Sequence, residues 1–214
     1  FAQFRQDARQ AEDDLKFLKE ESGSLMSEMQ QQNQAAVQAA AQECIKVLCD
    51  SIGAIVGGAE ELEVRSLTEN FSSRSHGPAI IIGSKSLTDI KVAAFLNGTA
   101  GTTLEMDEGN QFCKGHPAMH VIPAALAEAS VQKVSGKKLL TAITLGYEAA
   151  ARVGIATSLL PSMHPHGTWG AIGAAVAVMH LRDANETQIY EVMNIAANLG
   201  LTTSRKTMLE GGTV

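Results

Sequence analysis

Small and apolar residues recur at three- and four-residue steps along most of this chain, and that spacing confines it to packed α-helices. In "AAVQAAAQECIKVLCDSIGAIVGG" the stripe runs through Val37, Ala41, Cys44, Ile45, Leu48 and Ile52 and stops at Gly57 and Gly58. "LTDIKVAAFLNGTAGTTLEM" resumes the period, with Thr88 expected as its N-cap. Pro117 and Pro123 fit the first turns of helices, ahead of "PAALAEASVQKV". "SGKKLLTAITLGYEAAARVG" reads as one long helix with Leu139, Ile143, Tyr147 and Ala150 on one side. Its Glu148 and Arg152 lie at i,i+4, worth a few tenths of a kcal/mol when exposed. "TQIYEVMNIAANLGL" is a further amphipathic helix, and "TTSRKTMLEGG" a polar loop. About six helices result by this period. "GPAIIIG", apolar and bounded by glycine, reads as one short strand. The expected fold class is all-α with at most one short strand.

Residues 1–34 differ from the rest. "QDARQAEDDLKFLKEES" is charged, "SEMQQQNQ" is polar, and the apolar stripe of Phe4, Leu15, Phe17 and Leu18 is thin. A polar N-terminal helix or arm over 1–34 and a helical domain over 35–214 are expected. The net charge of −6 argues against a nucleic-acid partner, since phosphate neutralisation needs clustered Lys and Arg. No run of 18 or more apolar residues exists, so no membrane partner is expected. Cys44, Cys49 and Cys113 form no CxxC and no even-numbered framework, and the start lacks a basic segment followed by an apolar core. Reduced thiols and a cytoplasmic location follow. The opening Phe1 and the closing "LEGGTV" lead to the expectation of a fragment at one or both ends.

Chemistry concentrates in two stretches. "MDEGNQFCKGHPAMH", residues 106–120, holds Asp107, Glu108, Asn110, Gln111, Cys113, Lys114, His116 and His120. "HPHGTWGAIGAAVAVMHLR" holds His164 and His166, then Gly167, Gly170 and Gly173 at every third position. Cys113, His116 and His120 form C-x2-H-x3-H, which matches no standard structural-zinc spacing, so no metal is expected. His120, one turn inside a helix, reads as structural. His116, at the loop–helix junction, is the better acid–base candidate. His76 and His180 receive no role. Asp107 and Glu108 either cap a helix end or serve a site, since an acid after a helix C-terminus opposes the dipole. Lys114 and Lys206 are surface charges unless a pocket aims them at carboxylates. Each helical glycine costs about 1 kcal/mol. Close helix approach would offset that cost, as would backbone access for an anion near Gly167 and Thr168. A hydrolase nucleophile elbow and a phosphate P-loop are absent from the sequence.

"AAFLNGTAGTTLEMDEGN", "GHPAMHVIPAALAEA", "LLTAITLGYEAAARVG", "HPHGTWGAIGAAVAV" and "RKTMLEGGTV", in this order, resemble the MmgE/PrpD family over about residues 40–214. That family includes 2-methylcitrate dehydratase, cis-aconitate decarboxylase and iminodisuccinate epimerase. The resemblance implies a cofactor-free, metal-free acid–base enzyme, a lyase or isomerase, on a small di- or tricarboxylate. It implies a homodimer, and a two-domain whole of which this chain holds part of the helical domain. The smaller α/β domain and a catalytic tyrosine would lie beyond Val214. Residue by residue, the family's acid falls on Asp107, its loop histidine on His116, its second histidine on His164 or His166, and its lysine on Lys206. A further polar residue, Thr in the decarboxylase, has Asn110 or Gln111 as its nearest counterpart. "DEGN" and the short "HPHGTWG" are nearer the epimerase-like side. Lys114, Gly167 and Thr168 complete the expected substrate contacts. The competing expectation is a non-catalytic helical fragment that dimerises and lacks a complete site.

Overall fold

The computed structural model describes residues 38–201 and 203–206, together with positions 16, 20, 31, 32, 35 and 36. Chain contacts divide it into two units, residues 1–42 and 43–214. In the first, every described residue is helical and all but position 41 are exposed. Phe4, Leu15, Phe17, Leu18 and Val37 lie outside the described residues.

The second unit opens with α1, over residues 43–58, which buries Cys44, Ser51, Ala54 and Ile55. Ile45 is 46% exposed, so the inward stripe lies to one side of the expected one. α2 (Leu62–Ser72) follows, a helix the apolar spacing did not announce because Val64 alone is buried in it. β1 (Ala79–Ile80) falls inside "GPAIIIG" and pairs antiparallel with β2 (Leu87–Thr88). α3 (Ile90–Thr103) is capped by Asp89, whose carboxylate accepts from the Lys91 and Val92 amides, rather than by Thr88 as expected. Thr88 is fully buried in β2 and its hydroxyl donates to the Ser75 carbonyl. An aspartate cap satisfies two orphan amides at once, which the threonine one position earlier could not reach. Buried Asn97 of α3 accepts from the Ile82 amide and donates to the Ile80 carbonyl, which moors the first hairpin to the helices.

α4 (Pro117–Gln132) begins at Pro117 as expected, but Pro123 stands in its interior, not in a first turn. The ring costs a helical hydrogen bond there; both it and the Met119 carbonyl behind it face Gly98 of α3, where the two helices meet. α5 (Gly136–Ala156) starts on a Ser135 cap and matches the long helix read from the sequence. Ile143 and Ala150 are buried, Leu139 and Tyr147 partly so, and the exposed Arg152–Glu148 pair closes to 2.5 Å. β3 (Met163–His164) precedes α6 (Gly170–Leu181). α7 (Glu186–Asn198) carries an Asn185/Gln188 capping box, and β4 (Thr203–Ser204) pairs antiparallel with β3. Among the described residues, four two-residue strands in two antiparallel pairs, one a hairpin and the other closing across α6 and α7, thus stand where at most one short strand was expected. Each adds only two residue pairs, and the domain remains all-α.

The core lies between α4, α5 and α6, on Val121, Ile122, Ile143, Ala177 and Leu181 among others. α5 and α6 cross at Gly146 and Gly173. A Cβ on Gly146 would stand 2.5 Å from the Gly173 carbonyl oxygen, and one on Gly173 would stand 2.3 Å from that of Gly146. Close approach therefore offsets the cost of these glycines. α5 is long and apolar enough to cross a bilayer by length and composition, yet its Gly146, Ala150 and Gly154 face are buried against neighbouring helices.

Candidate active site

The polar stretch between α3 and α4 folds on itself. Asn110 and Gly115 exchange backbone hydrogen bonds of 2.8 and 3.3 Å, and the Asn110 carboxamide oxygen accepts from the Phe112 and Cys113 amides inside the loop. This closure delivers His116 to the N-cap of α4, with its ring turned back toward residues 107 and 108. The His116 Nδ1–H donates to the Glu108 carbonyl at 2.7 Å. Asp107 Oδ2 lies 3.1 Å from the same nitrogen, but no hydrogen-bond donor is aligned on that oxygen, although the Asp107 side chain is only 2% exposed. The contact is thus a close charge pairing beside a better-directed bond to the carbonyl. Together the Asp107 carboxylate and the Glu108 carbonyl hold the protonated imidazole, and push His116 up to about 9 against the opposing effect of burial.

The second histidine stretch supplies the facing wall. The His166 ring is 4.8 Å from that of His116, 5.3 Å from His120 and 4.6 Å from His164, centroid to centroid. Its Nε2 is buried without a hydrogen-bond partner. Burial, and then the neighbouring imidazoles, push His166 down to about 4. His164 is lowered by burial and by the Arg205 guanidinium, and its Nδ1 accepts from the His166 amide. Two neighbouring rings are therefore held in opposite protonation states at neutral pH.

The structure thus brings Asp107, His116 and His166 together, with their coordinating atoms within 4.8 Å of one another. Such a set has the chemistry to hold a divalent cation. A cation would have to displace the proton that Asp107 and Glu108 favour on His116, so the electrostatics suit a proton donor better. Cys113, the third member of the expected C-x2-H-x3-H, lies instead in a core cluster with Ala150 and Trp169.

Lys206 comes to the same end of the molecule through the β3–β4 pairing. His164 is paired with Thr203, the Arg205 amide donates to the Ser162 carbonyl, and Lys206 follows on the exposed side. Lys114 and Arg205 line a cavity of about 310 Å³ with Phe112, Leu160, Pro165 and Trp169. Gln111 is exposed. The Asn110 side chain is engaged in its own loop and donates to the Tyr147 hydroxyl. Gly167 has φ +82°, a conformation glycine adopts freely, and its N–H donates to His120 Nε2. Thr168 gives both its amide and its hydroxyl to the Pro165 carbonyl. The Gly167 amide and both donors of Thr168 are thus engaged within the fold, as is one donor of the Asn110 carboxamide. His120 pins the α4 turn to the Gly167 turn, and its ring leaves no space for a Cβ at Gly170.

Sequence reading left Glu108 open between capping a helix end and serving a site, and missed Tyr147 and Arg205. Tyr147 was visible only as an inward residue of α5, because nothing in a pattern of spacings joins it to a loop 39 positions earlier. The model of the MmgE/PrpD N-terminal domain matches residues 28–213. No curated protein matches the chain.

Proposed function

The chain belongs to the MmgE/PrpD family, as its N-terminal domain, and from that premise we propose an acid–base reaction on a small di- or tricarboxylate. The observation that carries the reading is the His116–His166 pair, 4.8 Å apart, with one member raised to about 9 and the other lowered to about 4. Titratable neighbours driven apart in this way are how acid and base roles are divided at one pH. Neutral His166 takes the proton from the carbon next to a substrate carboxylate. An incoming polycarboxylate strengthens this base, because its negative charge favours the imidazolium. The His116 imidazolium then gives its proton either to a departing β-hydroxyl, releasing water and leaving a double bond, or to the opposite face of the same carbon. The first outcome is dehydration and the second epimerisation. Lys206, with Arg205 beside it, supplies the positive charge that an anionic transition state requires. His164 belongs to the wall behind His166. As proposed, the proton transfers and the positive charge in these steps all come from the side chains named.

The test is exchange of carbon-bound hydrogen for deuterium, followed by proton NMR, on a panel of citrate-like and aminodicarboxylate acids. The unaltered protein should catalyse exchange on at least one of them. His116→Gln and His166→Gln should each lower kcat by about 10²–10⁴ with little change in KM. His120→Gln, which loses a fold contact, should lower stability more than rate. Absence of exchange on every acid of the panel, or undiminished exchange in both active-site variants, would sink the proposal.

A further inference from the structure

Glu108 is the one residue of the polar loop whose backbone and side chain both reach across the site. Its carbonyl accepts the His116 Nδ1–H at 2.7 Å. Its Oε2 accepts from the Ala118 amide, 3.1 Å away in the first turn of α4, and so performs the capping that the His116 side chain does not. Its Oε1 accepts a short hydrogen bond from the Tyr147 hydroxyl. That hydroxyl in turn accepts from Asn110 Nδ2 at 3.1 Å. Tyr147 stands on α5, at the edge of the main core, so the chain of bonds ends on a rigid element. With the carboxylate held at both oxygens, the peptide carbonyl one residue unit away has little freedom to turn from the imidazole.

We propose that Glu108 and Tyr147 are positioning residues for His116: they lock the Glu108 carbonyl onto Nδ1, so that Nε2 is the nitrogen that exchanges a proton with substrate. The inference rests on the acid–base reading of His116. Neither residue touches the reacting atoms, and both act through the imidazole's tautomer and aim. An imidazole lacking this anchor would favour the Nε2–H form, as free histidine does, and would present the wrong nitrogen in half of the cycle.

Long-range proton–nitrogen NMR on the chain labelled with 15N-histidine reads the tautomer directly and needs no substrate, so it stands apart from the exchange assay. Above its midpoint near 9, neutral His116 should be Nδ1–H in the unaltered protein. Tyr147→Phe, which keeps the ring in the core and deletes the hydroxyl, should shift the tautomer ratio about tenfold toward Nε2–H, the scale of one lost charge-assisted hydrogen bond. Glu108→Gln retains an acceptor for the Ala118 amide and the backbone carbonyl, and should shift the ratio less than Tyr147→Phe does. Circular dichroism and the fluorescence of Trp169 establish that each variant is folded. A neutral Nε2–H tautomer in the unaltered protein overturns the proposal without any variant. So does a folded Tyr147→Phe whose His116 tautomer is unchanged.

Discussion

His166 has an imidazole on three sides, and that placement makes the fold sensitive to acid. An unfolded histidine takes up a proton below about 6.5, while His166 in the fold resists until about 4. The unfolded state therefore binds the extra proton first, and stability falls as pH drops from about 6.5 to about 4. The loss should be about 2 kcal/mol, less than full linkage because the ring keeps some solvent contact. Urea unfolding at pH 7 and pH 4.5 should show this fall, and His166→Asn should remove most of it. An unchanged slope would place the acid sensitivity elsewhere. His116 has the opposite sign: its raised value gives stability that is full below about 6.5 and is lost as pH rises through about 9. His116 was legible in the sequence because a histidine at a loop–helix junction is a local pattern, whereas Asp107 was set apart from Glu108 only by the family resemblance. Whether His164 or His166 faces them was not legible, since alternate positions around Pro165 differ only in how the turn is closed. That turn is fixed by Gly167 and His120, which meet across 47 positions.

At the scale of elements, α4 and the C-cap of α6 are joined by a charge pair in which the carboxylate is buried and the guanidinium is half exposed. Glu128 is 2% exposed, and its two oxygens take the Arg182 Nε and Nη2 at 2.9 Å each, while Gln132 donates to it as well. Removing the arginine alone leaves a carboxylate buried with too few partners, and Arg182→Met should cost about 3 kcal/mol. Glu128→Leu combined with Arg182→Met should restore most of that loss, because the carboxylate then no longer has to be desolvated. Denaturant melts of the single and double variants measure the difference; a double variant no better than Arg182→Met would refute this account. The sequence displayed α3, α4, α5 and α7 through their three- and four-residue spacing, and α5 down to its Ser135 start. It hid α2 because "LEVRSLTENFS" buries too little to show a stripe, and hid the Thr88-to-Asp89 shift because both residue types cap helices. Pro123 misled for a related reason: proline rules describe a helix alone, whereas this one sits against α3.

At the scale of the whole molecule, apolar side chains stay exposed among the described residues, including Ile195 of α7, Leu199 at its C-cap, and the Phe71–Phe95 ring pair with centroids 5.4 Å apart. Exposed apolar side chains in such number are consistent with a partner surface. The family resemblance implies a homodimer, and light scattering at micromolar concentration should give twice the chain mass; a clean monomer would count against it. The β3–β4 pairing carries a different consequence. His164 is stitched to Thr203 across the whole of α6 and α7, and α7 itself buries only Ala196. Local opening of so lightly anchored a helix costs less than global unfolding. When α7 lifts, Arg205 and Lys206 go with it, while His116 at the N-cap of α4 and Asp107 in the loop before it stay in place. Amide exchange in the 203–206 segment should therefore follow α7 and not the core. On the proposed acid–base reading, the proton-handling half and the charge-supplying half would belong to different units of cooperative unfolding, and a cosolvent or temperature that frays α7 would disarm one while sparing the other.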